Sequence, residues 1–400
     1  MENDKLYRKI ISVLAIPISP IVSFLFSLKY FSSIYGGIFF ILFGVFLNTS
    51  LAFHQREDIT RMVDIYKQLS FYGVSVYRTN DIYFTSICSL LAQFNVSLYG
   101  ALCFWSVIYY IGFWLVMREL VKGYYKSIMS ILLVLVGFFA IDPGWFSVLR
   151  WSTAAFWAIY FFILAKDEKW ISWKNYLPLL SLAIHFSFIL PIIFFYASKL
   201  NILNLKGWMR IAVFTTPLPI FINGIVFQHI LQAIIPSEVY ASFGFYASAS
   251  RIQEIEAAYH YGKFLYLPLF LMFIYMLYLQ YKALDDEVND TFIDCNLLKM
   301  ALVFLTAYNF SFFSWDLLIR FRTFTLLIMT ISVARYYYIY VDPRINRLIV
   351  PLLFAFLFYN YEFIINTLHT RFVINDLFSF PFDAIEHCKE RLSNIRSIYL

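Results

Sequence analysis

Charged residues are scarce in this chain. Asp, Glu, Lys and Arg make up 14% of its 400 residues, where soluble domains carry about 25%. So little charge excludes an ordinary soluble surface. Cysteine is scarce as well. Cys88, Cys103, Cys295 and Cys388 form no CxxC pair and no metal-ligand spacing, so neither a disulfide framework nor a zinc site is expected. There is no Walker loop, GxSxG, HExxH, dinucleotide fingerprint or nucleic-acid motif. No metal, cofactor or nucleic-acid partner is therefore expected. Internal repeats, low-complexity segments and a separate soluble domain are missing too.

Apolar residues take the place of charge. They form 61% of the chain, and aromatic residues alone form 22%, with 46 Phe and 31 Tyr. The apolar residues come in long runs rather than in a stripe of period 3.6, the pattern of helices surrounded by lipid. Runs of spanning length fall at about residues 10–28, 31–53, 98–117, 127–141, 146–165, 176–198, 211–235, 264–281, 297–313, 321–340 and 348–366. The expected fold is all-α, a polytopic transmembrane helix bundle of about 11 spans, within a range of roughly 10–13. It forms one integral membrane domain over residues 1–400, with outer loops at 54–97 and 236–262. The first run contains Pro17 and Pro20 and lacks a small-residue cleavage site, so a retained helix is expected there.

Two stretches interrupt the runs. Residues 54–95 begin with HQREDITRMVD and continue into an amphipathic segment over 80–94, which suits an interfacial helix. Residues 236–262 carry Glu238, Arg251, Glu254, Glu256 and His260. The net charge of +6 is concentrated in four basic connections: Arg118, Lys122 and Lys126; Lys166, Lys169 and Lys174; Lys199, Lys206 and Arg210; Arg335, Arg344 and Arg347. Cytoplasmic placement of all four satisfies the positive-inside rule. It brings 54–95, 142–150, 236–262 and 316–320 together on the outer face. The run 176–198 then joins two inside connections, so a broken or re-entrant pair bent near His185 and Pro191 is expected. The amino-terminal Lys5, Arg8 and Lys9 argue for an inside start, yet two crossings from there place His54 inside. That conflict stands at this level.

Candidate chemistry follows from ionisable residues near the outer ends of helices. Arg56, Glu57, Asp58, Arg61 and Asp64 form the densest charged group, with Asp58 and Arg61 three apart. It suits a site or a solvated loop equally. Arg150 follows the turn signal Asp142-Pro143-Gly144 at the start of a helix, where the macrodipole prefers anions. That misfit points to an anionic ligand over a snorkelling end. His185 has apolar residues on both sides and is a cavity-lining or hydrogen-bonded core histidine. Asp316 and Arg320 are four apart and suited to pairing. With Arg322 they leave positive charge in excess, again suited to an anion.

In these residues the chain resembles the EpsG-like family of bacterial exopolysaccharide and O-antigen polymerases, the Wzy type. The resemblance runs over most of residues 30–340. It rests on Arg56 and Asp58 ahead of DIYKQL, an interfacial helix with the acidic start Asp81, Arg150 opening a helix with His185 about 35 residues later, and Arg320 opening a late helix. The chain departs from the family in HQRED, where a glycine-containing VGTD-like string is usual.

The resemblance implies a GT-C-like bundle in the bacterial cytoplasmic (inner) membrane. It also implies a glycosyltransferase that moves a glycan from undecaprenyl diphosphate onto a lipid-linked repeat unit at the outer face. The partners implied are the undecaprenyl-diphosphate-linked oligosaccharide, the lipid bilayer and a chain-length regulator protein. Arg150 and Arg320 then stabilise the diphosphate, and Asp58 or His185 accepts the hydroxyl proton. Arg56, Arg61, Arg322, Asp316 and Arg251 contact substrate.

A lipid-linked oligosaccharide flippase is the alternative. It predicts about twelve evenly spaced helices in two related halves, against the uneven loops here. A membrane O-acyltransferase lacks support, since no amino-terminal arginine-to-histidine pattern is present. The basic connections predict an orientation. With the four native cysteines replaced, a cysteine at Ser75 should react with an impermeant thiol reagent in intact spheroplasts, and one at Lys169 should not. The opposite labelling would invert the scheme.

Overall fold

A computed structural model describes residues 30–52, 58–72, 82–122, 149–200, 203–217, 294–311, 315–339 and 381–394, with a few single positions besides. The runs 127–141, 211–235, 264–281 and 348–366 lie largely or wholly outside these residues, as does the loop 236–262 with Arg251. Among the described residues all regular elements are helical, as expected. The α-helices are α1 (Ile34–Thr49), α2 (Asp58–Tyr72), α3 (Ile82–Gln93), α4 (Leu98–Leu120), α5 (Leu149–Ala165), α6 (Leu180–Ile184), α7 (Ile189–Lys199), α8 (Leu205–Thr215), α9 (Cys295–Phe310), α10 (Trp315–Ile339) and α11 (Pro381–Asn394). Short 3-10 turns cover Trp173–Leu179 and Phe186–Phe188. Of these, α4 is long and apolar enough to cross a membrane by itself, and α1, α3, α5, α7 and α9 are shorter apolar helices.

Contacts divide the chain into two compact units. The first holds Met1–Ile189 and Arg347–Leu400, the second Leu190–Asn346.

In the first unit α4 is the central helix, with α1 on one side and α5 on another. Glycine sets the approach of α1. A Cβ at Gly37 would lie 2.4 Å from Trp114, and one at Gly44 would lie 2.2 Å from Tyr110, so the rings of α4 rest on bare backbone. Polar groups finish the seam: Trp114 Nε1 donates to the Phe31 carbonyl at 2.9 Å, and Asn48 Nδ2 donates to Ser106 Oγ at 2.9 Å. These pairs put the start of α1 beside the end of α4, so the two helices are antiparallel.

Helix α5 instead runs parallel to α4. Phe113 stacks on Phe156 with centroids 4.6 Å apart, and Trp157 Nε1 donates to the Ile108 carbonyl at 3.1 Å. Farther along, Tyr160 lies near Glu119 and Arg118. Parallel neighbours need a return segment between them, and the connecting residues 123–148 lie largely outside the described residues.

The polarity of these helices sorts the ends of the unit. The basic residues Arg118, Lys122 and Lys166 sit together at one end. The carboxyl end of α1 and the amino-terminal parts of α4 and α5 sit at the other. Of the four basic connections, Arg118 and Lys122 of the first and Lys166 of the second are thus grouped away from the start of α4. The amino-terminal run stays outside the described residues, apart from a few positions near Phe24.

Helices α2, α3 and α11 gather at the second end. Tyr66 donates its hydroxyl to the Val96 carbonyl at 2.6 Å. Asn95 adopts φ 53°, a left-handed conformation that Asn tolerates, and the chain leaves α3 there. Helix α11 lies outside the eleven apolar runs. Its signals are Pro381 at the first position, Asp383 in the first turn and Arg391 in the last. Arg391 donates to Asp376 at 2.6 Å and to the Thr49 carbonyl at 2.7 Å, while Lys67 donates to the Leu392 carbonyl at 2.9 Å.

The second unit pairs α9 with α10. Asp294 caps α9 by accepting from Leu297 N at 2.9 Å, and it also accepts from Arg335 at 3.1 Å. The start of α9 therefore lies beside the far part of α10, an antiparallel hairpin. Thr325 donates to the Phe304 carbonyl at 3.1 Å along the seam. Helix α8 runs parallel to α9, because Lys299 reaches the Leu200 carbonyl at 2.8 Å while Asn309 reaches Thr215 Oγ1 at 3.0 Å. Helix α8 begins before its apolar run, and α10 already includes Asp316.

The glycine seam makes a prediction. Gly44→Ala should cost about 1–3 kcal/mol, since the buried Tyr110 ring has no free end to move aside. Gly207→Ala, whose Cβ would meet Asn204 at 3.3 Å, should leave stability unchanged or raised. Thermal unfolding in detergent distinguishes them; equal midpoints would mean the ring yields.

Candidate functional site

Of the expected site residues, Arg150 and His185 lie at the end of the first unit that is opposite Arg118 and Lys166, as does helix α2, which carries Asp58 and Arg61. Arg150 is the second residue of α5 and is 9% exposed. Its guanidinium lies over the Phe84 ring of α3, 5.6 Å from the centroid. Phe84 in turn meets Trp105 of α4 at 5.2 Å, and Trp105 meets Tyr66 of α2 at 5.9 Å. An aromatic relay thus holds the cation and ties four helices together. Burial of Arg150 requires that its charge be satisfied within the protein or by an anion.

Cys88 sits on the face of α3 that Arg150 approaches. Burial pushes its thiol well above the usual range, and Arg150 only partly opposes this. The thiol is neutral near pH 7 and is not a thiolate nucleophile.

His185 marks the break that the sequence places in the run 176–198. Helix α6 stops there because His185 is extended, with φ −153° and ψ 119°. Its Nδ1 accepts from Ser187 N at 3.3 Å and lies 2.9 Å from Ser187 Oγ, so the ring caps the turn that follows. With Nδ1 used as an acceptor, the neutral ring carries its proton on Nε2. Pro191 does not bend the chain; it occupies the first turn of α7, where proline is tolerated. The break lies at the Arg150 end, because Trp151 meets Phe188 at 5.2 Å. Helix α6 also packs on both α3 and α5.

Asp58 and Arg61 lie on α2, which packs on α3. They are three apart on a helix, as expected; their side chains lie outside the described residues, as do Arg56 and Asp81. Helix α2 also holds a carboxylate that the sequence grouped with its neighbours without singling out. Asp64 is 1% exposed and accepts from Gln68 Nε2 at 3.2 Å. Thr60, equally buried, stands one turn before it. The signal was the polar spacing Thr60, Asp64, Gln68 within an otherwise apolar buried face of Ile59, Val63, Tyr66 and Leu69.

The remaining expected residues belong to the second unit. Arg322 is 8% exposed on α10. Asp316 and Arg320 are four apart on the same helix, with their side chains outside the described residues. Among the described residues no group of three His, Cys, Asp or Glu could hold a metal ion. No family model, curated protein or solved structure matches this chain.

Cysteine reactivity tests the packing of α3. In detergent at pH 8, exposed Cys295 should react with a maleimide within minutes. Cys88 and Cys388 should stay unmodified, since burial pushes the Cys388 thiol up to about 12 and the Cys88 thiol also well upward. Equal rates for Cys88 and Cys295 would mean α3 does not cover Arg150.

Proposed function

We propose that the chain is a polytopic membrane glycosyltransferase, a polysaccharide polymerase that uses an undecaprenyl-diphosphate-linked glycan as donor. The observation that carries this reading is the buried Arg150 at the end of the first unit where α2, α3 and the His185 break meet. That end lies opposite Arg118, Lys122 and Lys166, so positive-inside orientation puts it at the outer face. Close glycine seams and parallel apolar neighbours support a bundle in lipid.

In the proposed reaction the acceptor sugar hydroxyl attacks the anomeric carbon of the donor glycan. The bond from that carbon to the diphosphate breaks, and the electron pair leaves on the diphosphate oxygen. Arg150 stabilises that charge, with Arg56 or Arg61 assisting. The hydroxyl proton passes to the Asp58 carboxylate. His185, with its proton on Nε2, serves better as a hydrogen-bond donor to an oxygen than as the base.

Purified chain in nanodiscs, supplied with lipid-linked repeat units, tests these roles. Arg150→Ala should lower polymer formation by about 100-fold or more, and Arg150→Lys should recover only part of it, because lysine loses the two-pronged geometry. Asp58→Asn should abolish turnover, while His185→Gln should retain a measurable fraction. Normal polymer with Arg150→Ala would remove the diphosphate assignment, and normal polymer with Asp58→Asn would exclude its carboxylate. In cells, gene deletion should leave single-repeat surface glycan; complete loss of surface glycan would indicate a flippase.

A further inference from the structure

Helix α5 leaves the basic end of the first unit through a compact turn. Tyr160 lies near Arg118 and Glu119 of α4, and α5 continues for five residues beyond it, about 8 Å. The turn at residues 166–172 therefore begins just past the last turn of α4, the helix of spanning length. Most of its charge is paired within the turn. Lys166 pairs with Asp167, and Lys174 pairs with Glu168. The backbone is tied down as well. Glu168 N donates to the Ala165 carbonyl at 3.1 Å, Ser172 N to the Lys169 carbonyl at 2.9 Å and Asn175 N to the Ser172 carbonyl at 3.0 Å. The buried Asn175 side chain also donates to the Lys169 carbonyl.

A turn held in this way presents its apolar side chains outward. Ile171 is 93% exposed, and Trp170 is exposed beside it. The 3-10 helix Trp173–Leu179 extends the same surface. With three residues per turn, positions three apart align. Trp173, at 67% exposure, Tyr176, at 60%, and Leu179 lie along one exposed edge, while Asn175 and Pro178 are buried along another. In water a helix turns its polar residues out and its apolar ones in. Here an asparagine faces the protein and two aromatic rings face away from it. Trp and Tyr join a large apolar body to one polar group, which favours the boundary between hydrocarbon and water. A contiguous exposed patch of this kind marks an interaction surface. Lys169 stands exposed in the same turn, a cation suited to a lipid phosphate.

We propose that residues 169–176 are an interfacial anchor: Trp170, Ile171 and Trp173 sit in the headgroup layer of the bilayer rather than in an aqueous loop. The layer is the cytoplasmic one under the positive-inside scheme. The pairing of Lys166 and Lys174 lowers the cost of taking the turn out of water, since a paired charge is easier to desolvate than a lone one. The proposal rests on the membrane reading above and not on glycosyl transfer.

Nitroxide labels on single cysteines test it, in the full chain freed of its four native cysteines and placed in phosphatidylglycerol–phosphatidylcholine vesicles. Oxygen, which partitions into lipid, and a nickel chelate, which stays in water, relax a label in opposite environments. A label at Ile171→Cys should respond to oxygen over nickel, as should one at Leu42→Cys, exposed midway along α1. A label at Glu390→Cys, exposed on α11, should respond to nickel. Trp170→Asp with Trp173→Asp should move the Ile171 label into water, and no change there would overturn the anchoring role of the two rings. A wet Ile171 label beside a dry Leu42 label would overturn the anchor alone, whereas a wet Leu42 label would overturn the membrane reading with it. An Ile171 label that is wet in these vesicles and dry in native membranes would mean that a partner protein covers the turn, which also overturns the proposal.

Discussion

The approach of α1 to α4 governs the first unit. Trp114 and Tyr110 lie on Gly37 and Gly44, and nothing larger than hydrogen fits between them. Once that contact is made, the direction of α1 is fixed as antiparallel to α4. The buried bond from Asn48 to Ser106 then places the carboxyl end of α1 beside the start of α4. The following helices inherit this placement: α2 must begin at the same end, and α3 must lie across the top of α4 to reach Trp105. The burial of Arg150 is a downstream result of one close helix pair.

The same geometry explains how a cation is tolerated in so apolar a setting. Phe84, Trp105 and Tyr66 form a chain of ring contacts from α3 through α4 to α2. Ring faces are negative, and that of Phe84 attracts the guanidinium.

Much of this was legible in the sequence. The apolar runs marked α1, α4, α5 and α9 because long stretches without charge leave few alternatives. The topological conflict in 176–198 marked the break at His185, since a segment joining two like-facing loops must turn. Other features were hidden for physical reasons. Pro191 looks like a breaker in a window of sequence, yet three residues into a helix its missing N–H costs nothing. Helix α11 carries too little apolar surface for a spanning run, and its partners, Thr49 and Lys67, are more than 300 residues away. Asp64 is an ordinary charged residue by composition; only the packing of α2 makes it a buried one. The resemblance to a polymerase family rests on short motifs; the packing brings α2, α3, Arg150 and the His185 break together, while Arg320 belongs to the second unit, and none of this assigns a reaction.

The link from Arg391 to the Thr49 carbonyl spans 342 residues. During synthesis at roughly 5–20 residues per second, α1 exists for about 17–70 s before Arg391 is made. Over that interval the last carbonyl of α1 lacks its eventual donor, and α2 lacks the carbonyl that receives Lys67. This end of the first unit is thus completed only after α11 has been made. Its assembly is timed by the ribosome, and a slowdown anywhere in the second half of the message would lengthen the period in which that end stays open.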